Sequence, residues 1–161
     1  AYVGGHWVER PGVTDLGMVS APAAAAYLLA LAERGGASAD EAIFPATIAD
    51  SVTIWPGLLR IARNPAATDK ARRGAIFWLG QAAGAAVTPA LDSLVADEDS
   101  EVAEAAIFAL SQRPDNEGVP ALIRVARTHR KPGVRRQALF WLGQSKDPRA
   151  LDLFEELLSG G

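Results

Sequence analysis

Cysteine is missing from this chain of 161 residues. Its absence excludes disulfides, thiolate metal sites and cysteine nucleophiles, and leaves the compartment open, since exported and cytoplasmic proteins alike can do without it. Histidine occurs only as His6 and His129, which offers no HExxH and no other paired metal spacing. No GxSxG elbow, phosphate loop or dinucleotide fingerprint is found. Asp97, Glu98 and Asp99 stand together, but without the glycine and closing glutamate of an EF-hand loop. Catalysis, a cofactor and a bound metal are therefore not expected. A net charge of −3 gives no general attraction to nucleic acid or to an acidic membrane face. No apolar run reaches the ~20 residues that span a bilayer, the longest, around 21–32, being short and alanine-rich.

What is present is repetition. Ala75-Ile76-Phe77-Trp78-Leu79-Gly80-Gln81 returns as Ala106-Ile107-Phe108-Ala109-Leu110-Ser111-Gln112 and again as Ala138-Leu139-Phe140-Trp141-Leu142-Gly143-Gln144. The closing glutamines lie 31 and then 32 residues apart, a period that marks a stacked array of supersecondary units. Each unit has two halves. In the first, Ala71, Ala75, Trp78 and Leu79 form an apolar stripe of helical period, copied over 101–112 and 134–144. The second opens on a proline (Pro56, Pro89, Pro120 or Pro148), which suits a first helical turn where an N–H has no partner.

The pattern extends upstream. Pro56-Gly57-Leu58-Leu59-Arg60-Ile61-Ala62-Arg63 matches Pro120-Ala121-Leu122-Ile123-Arg124-Val125-Ala126-Arg127, and Ala42-Ile43-Phe44 precedes Ala75-Ile76-Phe77 by 33 residues. Pro45 stands where Trp78 does, so the first helix of that unit must be kinked or shortened. Before it, Ser20 and Pro22 open a helical run that Gly35-Gly36 ends. Residues 1–19 lack helical periodicity and read as an extended arm, with a small hairpin over Tyr2–Val8 one form it can take.

Gly133-Val134-Arg135-Arg136-Gln137-Ala138-Leu139-Phe140-Trp141-Leu142-Gly143-Gln144, followed by Asp147-Pro148-Arg149-Ala150-Leu151, resembles the consensus of short HEAT-like repeats, including those of phycobilisome-lyase-type proteins. The resemblance is close over 69–158, loose over 40–68 and absent over 1–39. It implies an all-α fold, a right-handed α-solenoid of about four HEAT-like helix pairs behind an N-terminal helix and an arm. The expected divisions are an arm at 1–19 and a solenoid at 20–161. Within the solenoid come a leading helix at 20–36, a degenerate repeat at 40–64 and full repeats at 69–97, 100–128 and 132–158.

Such arrays function mostly by offering surface. The expected role is a non-catalytic scaffold or stabilising subunit with protein partners in a multi-subunit complex. An exported chain of this kind with an arm also resembles a membrane-extrinsic subunit of a bacterial photosynthetic reaction-centre and antenna complex. The enzyme-class alternative implied by the family is a lyase-like or chaperone-like subunit for pigment-bearing proteins; a regulatory repeat domain of a longer secreted protein is a third. The chain opens on Ala1, as cleavage behind a small-residue signal site leaves it. That predicts a periplasmic or otherwise exported protein, although a trimmed cytoplasmic chain would open the same way.

Candidate binding residues follow from charge and from the arm. The turn at 63–73 carries Arg63, Lys70, Arg72 and Arg73; that at 97–104 carries Asp97, Glu98, Asp99, Glu101 and Glu104; that at 127–136 carries Arg127, Arg130, Lys131, Arg135 and Arg136. Along a solenoid the edge reads basic, acidic, basic. The acidic interruption argues against nucleic acid, which asks for an unbroken positive stripe. Either the turns complement helix dipoles and bond to neighbouring units, or they present a charge pattern to a protein. The predicted protein-binding residues are Tyr2, His6 and Trp7 on the arm, with Arg127, Arg130, Lys131, Arg135 and Arg136 on the edge. Trp78 and Trp141 are expected to fill the space between stacked helices, and Gln81, Gln112 and Gln144 to bond the carbonyls at helix ends.

Overall fold

The computed structural model describes residues 17–36, 38–49 and 51–159, and among these it contains helices and no strand. The helices are α1 (Ala21–Arg34), α2 (Ile43–Thr47), α3 (Trp55–Arg63), α4 (Asp69–Gln81), α5 (Val87–Val95), α6 (Ser100–Ser111), α7 (Val119–Thr128), α8 (Pro132–Gln144) and α9 (Pro148–Ser159). A 3-10 turn, Pro114–Asn116, lies between α6 and α7. Most of the expected N-terminal arm, including residues 2–8 where a hairpin is one expected form, falls outside the described residues.

Helix starts follow local chemistry. Thr68 Oγ1 accepts the N–H of Ala71 at 3.1 Å, Asp99 Oδ1 that of Glu101 at 2.9 Å, and Asp147 Oδ1 that of Arg149 at 2.9 Å. Each satisfies one of the orphan donors of a first turn. Ser20 occupies the N-cap of α1, but its hydroxyl makes no capping bond; Pro22 in the first turn starts that helix instead. Gly35, at φ 77°, ends it in a conformation that disfavours a side chain. Pro45 shortens α2 to five residues. It is the third of them, early enough that its missing N–H breaks no helical bond.

The helices form two layers, α2, α4, α6 and α8 in one and α1, α3, α5, α7 and α9 in the other. This is an α-solenoid. Ala71, Ala75, Ile76, Leu79, Leu91, Ala106, Ile107, Leu122 and Ala138 are wholly removed from solvent in the seam between the layers. The second helix of one unit packs on the first helix of the next (α3 on α4, α5 on α6, α7 on α8) more extensively than the two helices within a unit pack on each other. Burial of the apolar stripe is thus a joint product of neighbouring units.

Buried arginines clip those units together. Arg113 donates through Nη1 to the carbonyls of Gly80 at 3.0 Å and Ala82 at 2.7 Å, and through Nη2 to Glu117 at 2.6 Å. Its cation thereby sits on the C-terminal end of α4, where the helix dipole is negative. Arg72 bonds the carbonyl of Ala62 through Nε at 3.2 Å and Asp99 through Nη1 at 2.5 Å, which joins the end of α3 to the start of α6.

Candidate functional site

The recurring heptapeptide has an outward side. In α4, Ala75, Ile76, Leu79 and Gly80 are buried while Arg73, Phe77 and Gln81 face solvent. Successive residues turn about 100° in an α-helix, so Ile76-Phe77-Trp78 cannot all reach one seam, and Phe77 is the one turned away. The same geometry holds in every unit. Phe44, Phe77, Phe108 and Phe140 are 53%, 44%, 37% and 58% exposed. The result is a row of phenylalanines along α2, α4, α6 and α8.

Tryptophans bridge two intervals of that row. Trp78 lies 5.3 Å from Phe44 of the preceding unit and 5.2 Å from its own neighbour Phe77. Trp141 repeats this with Phe108 at 5.2 Å and Phe140 at 5.1 Å. Both tryptophans are half-buried against the core, which agrees with packing between stacked helices; the phenylalanines they support are the exposed partners.

The interval between Phe77 and Phe108 has no such ring. Ala109 stands in the tryptophan position, and a Cβ added to Gly80 would lie 3.0 Å from the Ala109 Cβ. Two small residues let α4 and α6 come close there; an open notch lies one turn towards the helix starts, between Phe77 and Phe108. That groove, of about 560 Å³, is lined by Arg73, Phe77, Glu101, Glu104, Ala105 and Phe108. A second cleft, of about 440 Å³, lies in the first interval of the row, between Phe44 and Trp78, with Ile48 and Trp55 in its wall.

The glutamines differ from expectation. Gln81, Gln112 and Gln144 are exposed beside the phenylalanine row. Among the described residues none bonds a helix-end carbonyl; Gln112 Nε2 donates to Ser111 Oγ at 3.1 Å. The carbonyls at the end of α4 are taken by Arg113 instead.

The charged edge is largely self-neutralising. Arg73 pairs with Glu101, and Arg72 with Asp99 at 2.5 Å. Arg130 pairs with Glu98 at 3.3 Å, and Lys131 Nζ donates to the Glu98 carbonyl at 2.7 Å. The acidic turn is therefore clasped by the basic turns on both sides, and Asp97, Glu98 and Asp99 spend their oxygens within the chain. Among the described residues no group of three His, Cys, Asp or Glu side chains is placed to hold a metal ion. Hydrogen bonds from Arg72 and from the Glu101 N–H hold the Asp99 carboxyl below its usual range. Lys70 does the same to Asp40.

Of the predicted edge residues, Arg127 pairs with Glu156, and Arg130 and Lys131 are engaged as above. Arg135 does not reach a neighbouring aspartate. Its Nη1 donates to the carbonyl of His129 at 2.7 Å, closing the turn before α8. His129 faces the Val95 carbonyl with Nε2 at 3.2 Å and accepts the Lys131 N–H on Nδ1 at 3.2 Å, a pair of bonds that assigns the proton to Nε2. Arg136 is exposed on the phenylalanine face and bonds no described residue. Tyr2, His6 and Trp7 lie outside the described residues.

No described helix is long and apolar enough to cross a membrane. In comparison with known proteins, the family model described as HEAT repeats matches residues 56–130 and again residues 91–160. No curated protein and no solved structure matches the chain.

Proposed function

The chain belongs to the HEAT repeat family, and on that premise we propose that it is a protein-interaction scaffold whose docking face is the phenylalanine row of α2, α4, α6 and α8. The observation that carries this is recurrence. A single exposed phenylalanine needs no explanation, but one at the same outward position of every unit makes a continuous apolar strip of the kind that marks protein contacts. The other exposed large apolar residues among those described, Met18, Val19, Tyr27 and Ile48 near the start and Leu151, Leu157 and Leu158 on α9, do not recur from unit to unit.

The strip fits the broader role of a stabilising subunit in a larger assembly, with Tyr2, His6 and Trp7 of the arm as a further anchor and Arg136 as the open charge of the edge. A membrane-extrinsic place in a photosynthetic reaction-centre and antenna complex rests on the sequence resemblance alone. Neither the helices nor the family match selects that assembly among others.

Exchanging all four phenylalanines for glutamine keeps the helices and removes the strip. The wild-type chain should recover its partners from native extract and the quadruple variant should lose them at unchanged helix content. Equal recovery would place the docking face elsewhere.

A further inference from the structure

The notch between Phe77 and Phe108 is the one interval of the described row that lacks a bridging ring, and its charges do not cancel. Arg73 is committed to Glu101. Glu104 is exposed, one turn before Phe108 on α6, and bonds no described residue. One unit further, Arg136 stands one turn before Phe140 on α8, equally without a bond to any described residue. A ligand crossing the row thus meets an apolar hole, an open anion beside it and an open cation one unit away.

Spacing selects the form of that ligand. Stacked helices lie about 8–10 Å apart. Residues seven apart on an α-helix are separated by about 10.5 Å along its axis and share a face. Same-face residues of an extended strand recur every ~6.6 Å, which falls out of register within one unit. Trp78 and Trp141 bridge the intervals on either side by ring contact, so the large side chain belongs between Phe77 and Phe108, and small heptad neighbours clear the two tryptophans.

Resting on the phenylalanine row as the docking face, we infer that the notch takes an amphipathic helix of a partner protein laid across α4, α6 and α8. One large apolar residue enters between Phe77 and Phe108, a Lys or Arg lies over Glu104, and an Asp or Glu one heptad on lies over Arg136. The partner is recognised by that pattern: a central apolar knob, small residues a heptad to either side, and opposite charges a heptad apart.

The test uses the full chain and two synthetic helical peptides. Both carry a central leucine with alanine a heptad to either side and a glutamate to face Arg136; they differ in a lysine or a second glutamate facing Glu104. The lysine peptide should bind wild type about tenfold more tightly, the effect of roughly one favourable charge contact replacing a repulsive one. Its amide shift changes should centre on Phe77, Ala105 and Phe108. Glu104→Lys, an exposed substitution that leaves the core alone, should invert the preference. Phe77→Ala and Phe108→Ala should each weaken either peptide about tenfold or more.

Several results overturn the inference: no binding of either peptide, shift changes on the second-helix layer, no inversion in Glu104→Lys, or self-association that Phe77→Ala abolishes, which would make a second copy the occupant. If native partners are lost from the quadruple phenylalanine variant but kept by Glu104→Lys and Phe77→Ala, the notch fails and the docking face stands. If the quadruple variant keeps its partners, the docking face itself fails.

Discussion

Replacing Gly118 by alanine should break the joint between α6 and α7. Gly118 is the N-cap of α7 with φ −81°, a conformation open to any residue, so its requirement for glycine is one of space. A Cβ there would stand 1.9 Å from the carbonyl oxygen of Leu110 and 2.7 Å from its carbonyl carbon. Relief needs a separation of roughly 1.5 Å before van der Waals contact becomes favourable. What must yield is the backbone of α6 near its C-terminal end, in a seam that also holds Leu110 and Val119, and no side chain can swing aside to provide it. Overpacking costs about 1–3 kcal/mol when side chains can adjust, so a helix-on-helix clash belongs at about 3 kcal/mol or above. For a chain of this length each kcal/mol moves the melting midpoint by about 2–4 °C, which predicts a fall of roughly 6–12 °C in far-UV circular dichroism melts. Gly133→Ala is the internal control. It lies in the first turn of α8 with nothing within 4 Å of an added Cβ, so it should gain about 0.5–1 kcal/mol. A Gly118→Ala protein melting within about 2 °C of wild type would refute the reasoning.

Arg113→Met removes three charge-assisted bonds and leaves the Gly80 and Ala82 carbonyls without their donor; urea denaturation should show a loss of about 2–3 kcal/mol, and an unchanged midpoint would mean the clip is dispensable. Asp147 is held down to about 2 by the Arg149 side chain, which bonds it through Nε and Nη2 at 2.8 Å each. An unfolded aspartate titrates near ~3.9, so this contribution is complete above that pH and is lost as pH falls towards 2. Asp147→Asn should therefore be less stable than wild type at neutral pH, with the gap narrowing through that acid window; a gap independent of pH would refute the assignment. Thr68→Ala deletes the cap of α4 and should cost about 1 kcal/mol in the same assay, with no loss if water replaces the hydroxyl.

Much of the fold is legible in the residues because repetition supplies its own controls. Three copies of one heptapeptide fix the helix phase, recurring prolines mark second-helix starts, and Pro45 announces the short α2. The proposed docking face is less legible. The apolar stripe marks what is buried but not what faces outward, and the three consecutive residues Ile76-Phe77-Trp78 span some 200° of arc, well beyond one buried stripe. The signal was present: phenylalanine persists where tryptophan yields to Ala109. The charge pattern was visible too, but its meaning depends on reach. Long side chains cross from one unit to the next, so Arg73 meets Glu101 and Arg130 meets Glu98, and a row of alternating turns becomes an internal clasp. The clips made by Arg72 and Arg113 were not legible, since only the assembled seam shows which carbonyls lack donors.

The stronger packing of α3 on α4, α5 on α6 and α7 on α8 also decides where this protein comes apart. Its modules of stability are out of phase with its modules of sequence, each being the second helix of one repeat joined to the first helix of the next. A truncation placed between repeats, at 64–68, 96–99 or 129–131, divides such a module and strands two apolar faces. A cut at 112–118 or 145–147 passes between modules, whereas one at 82–86 also parts α4 from α6, which pack as extensively as α3 on α4. Fragments for dissecting the array, and the cooperative steps seen in hydrogen exchange, should respect the boundaries at 112–118 and 145–147.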